Sequence, residues 1–448
     1  MKKILTLLIV VLSYNTFAQT NPAITGWLIN TTGITGRHYI AGNSTPIVDA
    51  VLANVQTVQY NTTYAYVSAT GIPAYITGPF PGNPSIATAQ NKIFRIPLNP
   101  VQGSGTVATT GGNIGVFKNG VALFDYRDGV AWNNTTGALC GGPGNPPCGG
   151  TSVWTRDAIP AERAGFDCAK AHPAMGNYHH HQNPSAFNLD LVVLSNVCNT
   201  YPADGLYVIN TSQHSPLLGF AYDGFPIYGA YAYTNTDGTG AITRMKSSYQ
   251  LKSYPTGLRT NGPAINQVVG TQTFFNGYFR EDYEYVDHPG DATFLDSHNG
   301  RICNTPEYPA SLYPNGIYCY FATVDANHNS AYPYVVGPTF YGNITVVTNQ
   351  PVPSGTTTLA TNSIQNSDFK VTIAPNPASE FIAIQTPMAE NDMDIYLINE
   401  LGQIVKTSKI LQGSTLSIIE TDTVYNGIYF VKVTDGKNDK TVKVIINK

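Results

Sequence analysis

Asn113-Ile114-Gly115-Val116-Phe117-Lys118-Asn119-Gly120-Val121-Ala122-Leu123-Phe124-Asp125-Tyr126 is the stretch that decides the fold class. Two short apolar runs flank Lys118-Asn119-Gly120, and an Asn-Gly pair favours the turn whose twist matches that of paired strands, so the segment reads as a β-hairpin. Tyr64-Ala65-Tyr66-Val67 and Tyr318-Cys319-Tyr320-Phe321 read as further strands. The surrounding composition agrees. The chain holds 42 Gly, 30 Pro and 29 Tyr among 448 residues, with only 12% charged. Such a mixture suits short strands joined by many turns, with tyrosines bridging an apolar interior and a wet surface. Helical periodicity is scarce, and Asp157–Ala171 is the best stretch for a short helix or two. The expected class is mainly β.

Outward from the hairpin the same texture runs from Gln19 to Val347, which predicts one large β-rich domain over residues 19–347. Lys2 and Lys3, the apolar run Ile4–Leu12 and the small-residue exit at Thr16-Phe17-Ala18 have the layout of a cleaved signal peptide, residues 1–18. The apolar run is too short for a membrane anchor, and no later segment approaches the ~18 apolar residues that a spanning helix needs. A soluble mature protein is expected. Residues 348–367, rich in Thr, Ser, Asn, Gln and Pro, read as a linker. From Asp368 to Lys448 alternating strands resume at Val371–Ile373, Phe381–Ile384, Asp394–Ile398 and Ile428–Val433, which predicts a small antiparallel β-sandwich.

The formal net charge is −4 with no basic run, so nucleic acid is not an expected partner. Six cysteines beyond an export signal predict three disulfides, and fifteen pairings are open in principle. The tight Gly/Pro loop between Cys140 and Cys148 favours that pair. Cys303 with Cys319 and Cys168 with Cys198 would follow.

Familiar catalytic signatures are missing: no G-x-S-x-G elbow, P-loop, dinucleotide glycine fingerprint or H-E-x-x-H. Five of the nine histidines lie between His172 and His214. If Tyr178–Gln182 is a strand, His179 and His181 share one face and His180 the other. Two imidazoles on one face are a common half of a metal site. His172 precedes a Pro-x-x-Gly turn that would fold it back as a third ligand, and His214 is a candidate fourth. A surface or hydrogen-bonded structural cluster is the plainer alternative. Asp223, in the Asp223-Gly224 turn, and Asp296, beside His298, are candidate bases or carboxylates that orient a ligand; a turn role competes at Asp223.

Two resemblances add to this. Ala374-Pro375-Asn376-Pro377-Ala378, Asn399–Val405, Asn426–Lys432 and Lys443–Lys448 resemble the type A sorting domain of type IX secretion. That resemblance implies that residues 368–448 engage the type IX secretion machinery. It further implies export across the outer membrane of a Bacteroidota-type bacterium, removal of the domain, and release or lipid attachment at the surface. Gly176-Asn177-Tyr178-His179-His180-His181, His214–Gly219, Asp223–Gly229, Leu295–Arg301 with Thr305–Pro309, and Tyr332-Pro333-Tyr334 together resemble the YHYH family. His180 stands where that family's name has its second tyrosine. The resemblance implies a fold and hints at a site.

The function expected from sequence is an exported surface or extracellular protein binding a divalent transition metal through His172, His179, His181 and His214, and a hydrolase if the site is catalytic. The competing reading is a noncatalytic glycan- or metal-binding surface module with Trp132 and Trp154 as a stacking platform.

Overall fold

The computed structural model describes residues 21–83, 85–142, 144–149, 154–192, 196–359, 370–399, 404–435 and 439–448. The expected signal peptide and its cleavage point lie outside them. The chain is mainly β, and it divides into two compact units after Leu359.

The first unit is organised by one mixed sheet of eight strands. In chain order they are β1 (Asn113–Phe117), β2 (Ala122–Phe124), β3 (Ala171–Ala174), β4 (Asn177–His180), β5 (Leu217–Ala221), β6 (Pro226–Tyr228), β7 (Gly300–Cys303) and β8 (Ile317–Phe321). Across the sheet the order is β3-β4-β2-β1-β5-β6-β8-β7. The Asn119-Gly120 hairpin joins β1 to β2, with only Gly120 in the left-handed region (φ 81°). The β2–β4 and β6–β8 pairs are parallel and the others antiparallel.

Both faces of this sheet are covered, so its strands are apolar runs rather than alternating ones. On β8, Tyr318 and Tyr320 enter one core with Leu218, Ile227 and Phe166, while Cys319 and Phe321 enter another with Val116, Phe220 and Trp27. The second core is closed by a five-stranded sheet whose order is Val347–Thr348, Lys92–Pro97, Tyr64–Ala69, Val55–Tyr60, Thr357–Thr358. Residues 348–359 are therefore no linker. Val347–Thr348 pairs with Lys92–Pro97, Thr357–Thr358 pairs with Val55–Tyr60, and Leu359 packs on the core beneath. Edge strands held by backbone hydrogen bonds need little apolar content, which is why composition read them as a tether. Residues 360–367 lie outside the described chain.

The short helix Ala158–Glu162 is capped by Asp157, whose carboxylate accepts from the Ile159 amide at 2.8 Å. It runs into a single 3₁₀ turn at Arg163–Gly165 and stops well before Ala171. Cys140–Cys148 and Cys168–Cys198 are disulfide-bonded. Cys303 and Cys319 are not: both are buried free thiols. The register of β7 against β8 sets Cys319 opposite Arg301 and Cys303 opposite Ile317, so the two thiols are diagonal neighbours rather than a facing pair.

Four buried tyrosines of this unit donate to four aspartates that each hold a turn. Tyr178 meets Asp167 at 2.8 Å, Tyr334 meets Asp157 at 2.6 Å, Tyr320 meets Asp223 at 2.6 Å and Tyr318 meets Asp296 at 2.8 Å. Each carboxylate also accepts backbone amides, as Asp296 does from His298 and Gly300. These clamps fasten loops onto the sheet.

The second unit is the expected sandwich. A three-stranded sheet (Thr372–Ala374, Phe381–Gln385, Leu416–Glu420) faces a four-stranded one (Met393–Asn399, Ile404–Ile410, Gly427–Thr434, Asp439–Ile446). All its described strand pairs are antiparallel. Ile382, Ile384, Ile395, Leu397, Val431 and Val433 alternate inward to form its core.

Candidate metal centre

The tight turn at Met175-Gly176 brings β3 back along β4, and both turn residues take positive φ (48° and 82°). A Cβ on Gly176 would run into Thr88, so glycine is required there on two counts. The resulting register sets His172 directly opposite His179. His181, two residues on, returns to the same side. One ligating atom from each of His172, His179 and His181 falls within 4.8 Å of the other two.

Helix Ala158–Glu162 adds a carboxylate that sequence reasoning missed. Glu162 Oε2 lies 3.0 Å from His172 Nε2 and 3.3 Å from His181 Nε2. The Nδ1 atoms face the other way. His179 Nδ1 donates to the Asn177 carbonyl at 2.9 Å, and His181 Nδ1 donates to the Asp125 carbonyl at 2.6 Å. A carbonyl only accepts, so both rings carry their proton on Nδ1 and present a lone pair at Nε2. Those two Nε2 atoms stand 3.1 Å apart. Backbone carbonyls that fix the tautomer and orientation of a histidine are the usual outer support of a metal ligand.

The unfinished hydrogen bonding is as informative as the distances. Glu162 Oε2 and His172 Nε2 are buried and, despite their proximity, neither has a hydrogen-bond partner with acceptable alignment. Burial and the neighbouring imidazoles His181 and His172 push the His179 pKa well below its ordinary value, favouring the neutral ring. Burial also opposes charge on His181, but the Glu162 carboxylate outweighs it and raises that pKa. Burial alone would raise Glu162, yet its two histidine contacts hold the carboxyl far below its usual range. The donor set thus combines imidazole nitrogens and one ionised oxygen, the mixture that suits zinc and its neighbours. Nitrogens around a tetrahedral zinc ion stand about 3.3 Å apart, close to the 3.1 Å between the Nε2 atoms of His179 and His181.

Aromatic rings frame the cluster: Phe124 stacks on His179 with centroids 3.7 Å apart, and Phe166 lies edge-on to His172. On the far side of Glu162 a polar cleft of about 490 Å³ opens, lined by Asp128, Asn145, Arg156 and Gln272.

His180 faces away, as period two requires. It is fully buried, its Nε2 is 2.8 Å from the Tyr75 hydroxyl, and burial lowers its pKa to about 3. The other expected site residues stand elsewhere. His214 does not join the cluster: its Nδ1 bonds the Ser215 carbonyl at 2.7 Å and its ring packs against Tyr228 and Tyr233. Asp223 and Asp296 are clamp residues, with Asp223 bonded to Tyr320 and the Gly342 amide and Asp296 to Tyr318. Neither carboxylate reaches His172, His179 or His181. Trp132 and Trp154 are buried beside Phe274 and Phe279, so they offer no exposed platform. The signal that could have found Glu162 was the short helix itself, since it runs directly into the segment carrying His172.

Residues 93–333 match the YHYH protein family, and residues 372–447 match the secretion system C-terminal sorting domain. No curated protein matches the chain. Among solved structures, PorZ of Porphyromonas gingivalis is described as an essential bacterial surface component of the type-IX secretion system. It is 11% identical, and the alignment covers 92% of this chain but only 41% of PorZ, with a TM-score of 0.15. That likeness is too slight to bear on fold or function. The sorting domain indicates export to the cell surface or secretion. Among the described residues no helix is long and apolar enough to cross a membrane. With its match spanning more than half of the sequence and the histidine hairpin inside the matched region, the chain belongs to the YHYH protein family.

Proposed function

We propose that this exported protein holds a divalent transition metal through His172, His179, His181 and Glu162, and that the centre is hydrolytic. The observation that carries the reading is the gathering of one ring nitrogen from each of His172, His179 and His181 within 4.8 Å beside Glu162 Oε2, with Glu162 Oε2 and His172 Nε2 left without hydrogen-bond partners. Three imidazoles leave coordination positions free for water, and a metal ion supplies an activated water at neutral pH. Glu162, at the end of the polar cleft, would complete the ligand set or hold the proton of that water. Glu162 is the cluster residue that lines this cleft, and a polar extracellular substrate would be met there. Export through the type IX route, by way of residues 372–447, would place this chemistry outside the cell. The glycan-platform alternative loses its aromatic face with the burial of Trp132 and Trp154.

Elemental analysis of the purified, untagged full chain tests the site. About one transition-metal ion per chain is expected, with a panel of chromogenic esters and phosphate esters turned over by the loaded protein and silenced by chelation. A metal-free chain that takes up no ion on titration would overturn the reading; metal without turnover would overturn its hydrolytic half.

A further inference from the structure

The opposite face of β4 carries a second feature. His180 and its partner Tyr75 stand at the wall of a cavity of about 420 Å³, within the size range of small-ligand pockets. Phe117, Leu206, Leu217 and Leu218 supply its apolar surface. Tyr75 has already committed its hydroxyl to His180, and Tyr207 has committed its own to Asn183 at 2.6 Å, so both offer their rings rather than their hydroxyls. Two cations, Arg37 and Lys118, stand on the wall beside the neutral Asn54 and Asn119. Arg37 bonds Asp204 at 3.0 Å and the Ala74 carbonyl at 2.7 Å through one terminal nitrogen, while its Nε is buried without a partner. Lys118, half-buried on the hairpin turn, makes no salt bridge among the described residues. Set against Asp204, the two cations leave the wall one positive charge in excess.

We infer that this cavity is a binding site for a small aromatic carboxylate. The ring would lie among Tyr75, Phe117 and the leucines, where offset and edge-to-face contacts add to apolar burial. The carboxylate would meet the Arg37 guanidinium at its unbonded terminal nitrogen, together with Lys118, in charge-assisted bonds. The inference is independent of the metal, since the pocket and the imidazole cluster lie on opposite faces of one strand.

2-Naphthoate and its neutral analogue 2-naphthamide, titrated into the full chain by calorimetry, separate ring from charge. The acid is expected to bind about tenfold more tightly than the amide, the usual gain from a hydrogen bond to a charged partner. Arg37→Gln should bring the acid down to the affinity of the amide. Leu206→Trp, which fills the cavity from a half-buried loop position, should abolish both. His179→Ala with His181→Ala should leave both intact, so that loss of the metal reading and loss of this one are told apart. Failure of the acid to bind, equal affinity for acid and amide, or an Arg37→Gln chain that still prefers the acid would each overturn the assignment. The Arg37 variant decides the matter even if Leu206→Trp does not fold.

Discussion

Asp223 and Glu162 are both carboxylates in the interior of the first unit, and their surroundings are completed in opposite ways. Asp223 is met by the Tyr320 hydroxyl and by the Gly342 and Phe225 amides, all well placed. Glu162 Oε2 has two imidazole nitrogens within 3.3 Å and a hydrogen bond to neither. Buried polar groups are nearly always satisfied, because an orphan carries its full desolvation penalty. A satisfied carboxylate therefore belongs to the architecture. On the proposed reading, the orphan at Glu162 is completed by the metal ion. Residue type alone does not separate the two; an unmet carboxylate oxygen lying beside two imidazoles does.

The largest effect that would break this contrast is on metal content. Replacing His179 and His181 with Ala together should lower occupancy at least a hundredfold while circular dichroism stays native, and His180→Ala should leave occupancy near that of the parent chain. Asp223→Ala should do the reverse, leaving metal in place but removing about 3 kcal/mol of stability, since it strands a buried hydroxyl and two amides. Chemical denaturation alongside elemental analysis reads both columns, and an Asp223 variant that lost metal would erase the distinction.

The next effect is on pH. Burial raises the carboxyls of Asp167 and Asp223 to about 7 and about 6, from an ordinary 3.8. The folded chain thus keeps protons that the unfolded chain has already released. Their contribution to stability is fully present below pH 4, declines as pH climbs toward 7, and is level above. Metal occupancy should move the other way, falling as pH drops, because protons compete for the same lone pairs, at His181 with its raised pKa before His179. Over pH 4–8 the thermal-melt advantage of the parent chain over Asp223→Asn should therefore shrink while metal content rises; an advantage that grew with pH would contradict the separation. The smallest effect concerns the thiols. Native protein should resist alkylation at Cys303 and Cys319, and denatured protein should show two reactive thiols per chain without reductant.

Much of this was legible in sequence for physical reasons. The hairpin at Asn119-Gly120, the sandwich after Asp368, and the opposed faces of His179 and His180 follow from turn chemistry and from period two, both of which are local. His172 was within reach because its partner turn sits four residues away. What escaped is non-local. The hydroxyl that claims Asp223 comes from Tyr320, 97 residues later, so nothing near the Asp-Gly turn announces it. Glu162 arrives from a helix lying across the cluster, and the Asp125 support is a backbone carbonyl, which no side-chain pattern encodes. His214 misled because its motif is distinctive, whereas its contacts are an adjacent carbonyl and two tyrosine rings.

The four residues of β4 also set a limit on how the protein can drift. Tyr178 is taken by Asp167, His179 by the imidazole cluster and His180 by Tyr75, and Asn177 lends its carbonyl to hold His179. No position on the strand is idle, so a lineage that alters one chamber must negotiate with the other through a shared wall. Variation between relatives should accordingly gather in the helix, the strand and the loop that bring Glu162, Arg37 and Leu206 to the two chambers, where each can be retuned alone.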